Sequence, residues 1–155
     1  MRVKILYNFC MCKDGSGWRI VERKYFSVGE ANSLLPFIES RLQALQQLKR
    51  EVYGKRRRLH QLKVAVFHEE DKRKAQSDTM FTIECELEFA QIEAKSHLKA
   101  IHTTGAELKD IDSGLVDFPA LWHDEEVLLC WKQGEEQIMH YHSAADGFGG
   151  RKPID

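Results

Sequence analysis

Residues 38–66, IESRLQALQQLKREVYGKRRRLHQLKVAV, decide the fold. Ile38, Leu45, Val52, Leu59 and Val66 recur every seven residues, and Leu42, Leu48 and Leu62 fill positions three or four residues away. The other faces carry Lys49, Arg50, Glu51, Lys55, Arg56, Arg57, Arg58 and Lys63. An apolar repeat of this period, held over about four heptads, favours left-handed supercoiling against a second helix. At about 1.5 Å per residue, some 40 residues would make a rod of roughly 60 Å, too long for the core helix of an ordinary compact domain.

Towards the N-terminus, Ser27 followed by Glu30 is a capping box, with Phe26 placed as a hydrophobic staple. Pro36 falls inside the pattern and removes one helical hydrogen bond, so a kink is expected in the first turns. Towards the C-terminus, His68 to Lys74 is charged and aperiodic, which predicts a linker, and Ser77, Asp78 and Thr79 offer N-caps for a second helix. In that helix Met80, Leu87, Ala94 and Ile101 again recur every seven residues beside Ile83, Ala90 and Leu98, and Gly105 is a suitable stop. Two matching seams predict an antiparallel helical hairpin. Phe81, Cys85, Phe89 and Ile92 form a second apolar stripe on the same helix, which one hairpin cannot bury. The expectation is a homodimer, with a four-helix arrangement; the alternative is that the C-terminal strands cover the stripe.

The rest of the chain fits around this hairpin. A chain of 155 residues, 43% hydrophobic and 30% charged, can build a core but not two ordinary domains. Lys plus Arg number 23 against 24 Asp plus Glu, so no global charge excess points to a polyanion. No run of about 18 apolar residues and no secretory leader is visible, so a reduced, cytoplasmic protein that does not span a membrane is expected. Residues 1–24 read as an N-terminal arm: either a β-hairpin turning at Asp14-Gly15-Ser16-Gly17, or the product of a mis-set start with Met11 as the alternative initiator. Residues 25–155 read as one domain, with the hairpin over 27–103 and a β module over 105–155. In that module Val127 to Trp131 and Ile138 to His142 are β-prone runs around Gln133-Gly134, which predicts a hairpin. A tight turn there would set Leu129 opposite Ile138 and Val127 opposite His140. Leu115 to Pro119 reads as a third strand, with Pro119 at its end or on an edge, and Gly105 to Lys109 as a short fourth. The predicted class is therefore α+β: a long, coiled-coil-like antiparallel helical hairpin with a small C-terminal antiparallel β module.

Several ordered blocks carry a family resemblance. They are Tyr25-Phe26-Ser27, Glu30-Ala31-Asn32 and Leu34-Leu35-Pro36 at the helix entry, then Glu107 to Asp110 and Gly114 to Leu121. Cys130-Trp131 with Gly134-Glu135, His142, Asp146-Gly147-Phe148 and Gly150 to Pro153 complete the set. Over about residues 25–153 the chain resembles an uncharacterised bacterial family of small cytosolic proteins, a domain of unknown function numbered 2203. The resemblance implies a helical hairpin plus a small β module and brings no activity with it. This chain departs from the pattern in its charged segment near 68–77, where relatives often have a Gly-rich linker, and in His140, where a large apolar residue is expected.

The strongest chemical constellation is the polar set of the β module: Asp110, Asp112, Asp117, Glu135, His142, Asp146 and Arg151. A His among carboxylates suits a divalent metal such as Mn, Fe or Zn, and Asp117, Glu135 and His142 are the candidate ligands. Asp112, Asp117, Trp131, Glu135, Asp146 and Arg151 are the candidates for binding a small molecule or protein partner, with Arg151 steering an anion. Each also has a structural explanation: Asp112 and Asp146 precede glycines as turn residues do, Asp117 pairs with Arg151 or a backbone group, and His142 caps the hairpin. Other chemistries are weaker. Asp110-Ile111-Asp112-Ser113-Gly114 fails as a calcium loop because the glycine is one place early and Leu121 stands at the twelfth position. Lys55 to Arg58 fan around a helix without reading residues, so nucleic-acid binding is not favoured. Cys10 and Cys12 are the only close cysteine pair, and Cys85 and Cys130 read as core. Two reading classes remain: a self-associating protein that binds a partner or ligand through its β module, and a metal-dependent enzyme or metal-binding protein.

Overall fold

A computed structural model of the chain describes residues 8–14, 17–68, 70–123 and 125–154, with side chains over 24–65, 76–123 and 125–154. Strands β1 (Asn8–Asp14) and β2 (Gly17–Arg23) pair antiparallel; Gly15 and Ser16 of the expected turn lie outside the described residues. Two long helices follow, α1 (Val28–His68) and α2 (Glu70–Thr103). Then come β3 (Glu107–Asp110), β4 (Leu115–Trp122), β5 (Glu125–Lys132), β6 (His140–His142) and β7 (Lys152–Pro153), antiparallel neighbours in that order in one five-stranded sheet. The expected α+β class is the one observed. The chain divides into two compact units, Met1–Ser40 with Ile101–Asp155, and Arg41–Ala100.

The Arg41–Ala100 unit is the helical hairpin. Its antiparallel sense is fixed by polar pairs whose α2 numbers fall as the α1 numbers rise. Arg41 Nη1 donates to His97 Nδ1 at 3.4 Å, Lys55 Nζ meets Glu86 at 3.0 Å and Lys63 Nζ meets Glu84 at 2.8 Å. Along the seam Leu42, Leu45, Leu48, Ile83, Leu87 and Ala90 are buried, while Val52, Leu59, Leu62, Met80 and Ala94 are half-buried. Val66 belongs to the predicted seam, but its side chain lies outside the described residues. The charged segment expected as a linker is largely helical: α1 reaches His68 and α2 starts at Glu70, seven residues before the predicted cap at Ser77. Lys, Arg and Glu are good helix formers, so the segment needs no apolar stripe to stay helical.

The other unit joins the start of α1 to the sheet. The capping box forms as predicted: Glu30 N–H donates to Ser27 Oγ at 3.3 Å, and Ser27 N–H donates to Glu30 Oε2 at 2.9 Å. The backbone N–H of Ser27 and then its hydroxyl hold the Glu30 carboxyl below the usual carboxylate range. Phe26 sits edge-on to Phe118 of β4 with ring centres 5.5 Å apart. Gly105, at φ 93°, ends α2 beneath that ring, where a β-carbon would come within 3.2 Å of it. Asn32 Oδ1 accepts from the Ile138 N–H at 2.8 Å, tying the first turns of α1 to the chain entering β6. One sheet face supplies the core through the cross-strand pairs Val116–Trp131 and Phe118–Leu129, all nearly fully buried.

Two sequence expectations need correction. Strand β4 runs past Pro119 to Trp122, in the interior of the sheet order. Proline is tolerated there because β3 pairs with β4 only as far as Asp117, and Phe26 N–H takes the Pro119 carbonyl at 2.8 Å on that outer side. In an antiparallel strand a residue's N–H and C=O point to the same side, so the missing N–H deprives β5 of nothing. The β5–β6 register also differs: Leu128 pairs with His142, Leu129 with Tyr141 and Cys130 with His140. The expected turn does form at Gln133-Gly134, where Glu135 N–H donates to the Lys132 carbonyl at 3.0 Å, but the ladder does not continue directly from it. The Trp131 Nε1–H donates to the Glu135 carbonyl at 2.9 Å, and the chain detours through Asn32 before β6 begins.

Candidate metal-binding site

Opposite the Phe118–Trp131 face, three strands bring three donors together. Asp117 and Cys130 are direct cross-strand partners on β4 and β5. His142 of β6 faces Leu128, two residues before Cys130 and on the same side of β5. One ligand-type atom from each of Asp117, Cys130 and His142 lies within 4.8 Å of the other two, and all three residues are buried. Such a polar cluster in a core demands partners for every group.

The imidazole is oriented by its backbone. His142 Nδ1 lies 2.7 Å from the Ser143 carbonyl, which only accepts, so Nδ1 carries a proton. The other ring nitrogen, Nε2, then points at Asp117 Oδ1 from 3.3 Å. In a neutral ring that nitrogen presents a lone pair to a carboxylate, an arrangement that needs a cation or a proton between them. A charge-assisted N–H···O bond is normally about 2.7–2.9 Å, shorter than this contact. The second Asp117 oxygen is 3.9 Å from Lys109 Nζ, which itself binds Glu107 at 2.7 Å. Burial, and then the neighbouring Asp117 charge, push the Cys130 thiol up to about 12, so it is protonated at neutral pH.

The remaining sequence candidates lie beside this cluster rather than in it. Glu135 Oε1 accepts from Arg151 Nη2 at 2.5 Å, and Oε2 accepts from the Lys132 N–H at 2.9 Å. Burial alone would raise the Glu135 carboxyl, but the Arg151 guanidinium and the Lys132 N–H outweigh it and hold the pKa below the usual range. Arg151 Nη2 also donates to His140 Nδ1 at 2.8 Å, and its guanidinium carbon is 4.8 Å from the Phe148 ring centre. His140 shares the sheet face with Cys130 and His142 but is engaged by Arg151. Trp131 is a core residue, 1% exposed. Asp110 accepts from the Ser113 N–H at 2.7 Å, Asp146 accepts from the Ser143 hydroxyl at 2.8 Å, and exposed Asp112 sits in the β3–β4 turn. The basic residues Lys55 and Lys63 are paired with Glu86 and Glu84 across the hairpin.

The sequence marks Asp117, Glu135 and His142 as one donor set; the structure gives Glu135 to Arg151 instead and sets Cys130 beside the other two, through a register the sequence does not show. The signal that could have found it is the short β4–β5 connection, which sets Asp117 opposite Cys130 by counting back from Trp122 and Glu125.

An α+β chain with a helical hairpin and a five-stranded antiparallel sheet, carrying a buried Asp–Cys–His cluster, is thus the class defined by fold and site. The family model described as "Uncharacterized conserved protein (DUF2203)" matches residues 24–154, and the chain belongs to that family. The family description assigns no activity. Neither a curated protein nor a solved structure matches the chain. Among the described residues, no helix is long and apolar enough to cross a membrane.

Proposed function

We propose that the β module binds one divalent metal ion through Asp117, Cys130 and His142, and that Zn²⁺ is the ion it favours. The observation that carries this is the His142 geometry: Nδ1 is committed to the Ser143 carbonyl and Nε2 faces Asp117 Oδ1 at 3.3 Å. A second partner fixing the tautomer of a ligating histidine is the usual arrangement. Tetrahedral bonds of about 2.0–2.1 Å place neighbouring N and O ligands roughly 3.3 Å apart, the separation found here. A thiolate ligand selects Zn²⁺ over the Mn and Fe suggested by oxygen and imidazole ligands alone. The charges also balance: a dication with one carboxylate, one thiolate and a neutral imidazole sums to zero, which limits the cost of burying it. Three protein donors leave one tetrahedral position for water or a ligand, and with all three side chains closed off from solvent that position is buried.

The Cys130 thiol must lose its proton on binding, so affinity rises with pH. Titration of the untagged protein with Zn²⁺ or Co²⁺ should give one ion per chain, and Co²⁺ should add a thiolate charge-transfer absorption. Cys130→Ser should abolish that absorption and weaken binding while the circular dichroism stays native. No binding at micromolar metal, or an absorption that survives Cys130→Ser, refutes the assignment.

A second reading concerns assembly. We also propose that the chain self-associates as a homodimer, in the cytoplasmic setting that its free thiols Cys85 and Cys130 suit. The support is the second stripe of α2, where Phe81 is 68%, Phe89 72% and Ile92 62% exposed in the protomer.

A further inference from the structure

The stripe on α2 is arranged so that its own charges state which way a second copy lies. At about 100° per residue, Phe81, Cys85, Phe89 and Ile92 fall within a narrow arc. The buried residues Ile83, Leu87 and Ala90 lie on the opposite side of the helix. Glu84 and Glu86 occupy the flanks between the two faces and are paired with Lys63 and Lys55 of α1. The helix therefore has two separate greasy sides, one already used by the hairpin. Charges of opposite sign stand beyond its two ends: Asp78, three residues before Phe81 and on the arc, and Lys95, three residues after Ile92 and about 40° outside the arc on the Glu84 side. Both are exposed.

We infer that two chains pair through these stripes with their α2 helices antiparallel, a geometry that deepens, and rests on, the homodimer proposed above. Antiparallel alignment of the stripes sets Phe81 against the partner's Ile92 and Cys85 close to the partner's Phe89. The same register brings Asp78 to the partner's Lys95, and two-fold symmetry repeats the pair at the other end. The parallel alternative opposes Asp78 to Asp78, Glu88 to Glu88 and Lys95 to Lys95, like charges at all three of these positions. Charge complementarity thus singles out a second copy of this chain in one orientation, and with α1 behind each α2 the assembly is a four-helix arrangement at the interface.

Sedimentation equilibrium on the full chain tests both steps. A monomer at tens of micromolar overturns the homodimer and the register together. A dimer that Phe89→Asp leaves intact places the interface elsewhere and overturns the stripe; Phe89 is exposed in the protomer, so this variant should keep a native circular dichroism spectrum while losing the dimer. Asp78→Lys alone and Lys95→Asp alone should each weaken dimerisation roughly five-fold or more, two exposed pairs being changed at once, and the double variant should restore it. If the single variants are neutral, or the double variant fails to rescue, the antiparallel register is wrong even though the dimer stands.

Discussion

Two titratable groups of the β module are tuned in opposite directions, and each makes a prediction. Cys130 is raised to about 12 by burial and by Asp117. Alkylating reagents attack the thiolate, so iodoacetamide at pH 8 should leave Cys130 unmodified in the native protein and modify it in urea, as peptide mass mapping would report. Rapid native modification would contradict the buried placement. Glu135 has a folded pKa below its unfolded value, so its contribution is present above about pH 4.5 and is lost as pH falls through the folded value. Glu135→Gln should therefore lower stability at pH 7, and the gap from the native chain should shrink towards pH 3 in urea melts. A gap that stays constant with pH would mean the Arg151 contact contributes through packing alone. Gly150 is tied to the same segment: a β-carbon there would fall 2.3 Å from Asp146 Cβ, so only glycine lets the chain close up before Arg151.

At the scale of elements, the helices were readable in advance because apolar repeats record which face is buried. Ile38, Leu42, Leu45 and Leu48 are all buried, as their spacing predicted. The segment around residue 70 was misread because surface helix leaves no apolar period, only propensity. The sheet was readable in number but not in register. Its alignment depends on a side chain of another element, Asn32, holding Ile138 106 positions away, and no local pattern encodes that. Asn32→Ala would strand a part-buried N–H and should cost about 1–3 kcal/mol in chemical denaturation. A loss of a few tenths would show that water replaces the amide. Within the hairpin, Leu87, only 9% exposed, should tolerate no charge. Leu87→Asp should cost more than about 3 kcal/mol, through lost packing plus an unpaired buried carboxylate. An unchanged melting curve would mean the seam has been assigned to the wrong face.

For the molecule as a whole, metal and fold are linked. The three donors come from β4, β5 and β6, so an ion bound by all three holds strands that the unfolded chain cannot bring together. Saturation at about 100 times the dissociation constant should raise the unfolding free energy by about 2.7 kcal/mol, read as a higher thermal midpoint that a chelator reverses. The site was half visible in the sequence: a histidine among carboxylates marks Asp117 and His142, but the same reasoning marks Glu135, which Arg151 holds, and leaves Cys130 looking like any buried cysteine. Chemical type alone cannot separate a packed thiol from a ligand; only its neighbours across two strands do. A proline at 119, with its carbonyl already held by the chain entering α1, has a further outcome. Along that margin an intruding segment would meet a ring carbon and an occupied acceptor, so the sheet cannot be lengthened sideways there by a neighbour's backbone. The opposite rim closes on another proline, Pro153. Strand addition is thus discouraged along the outer flank of β4 beyond Asp117 and along β7, which confines it, within this sheet, to the four-residue edge strand β3.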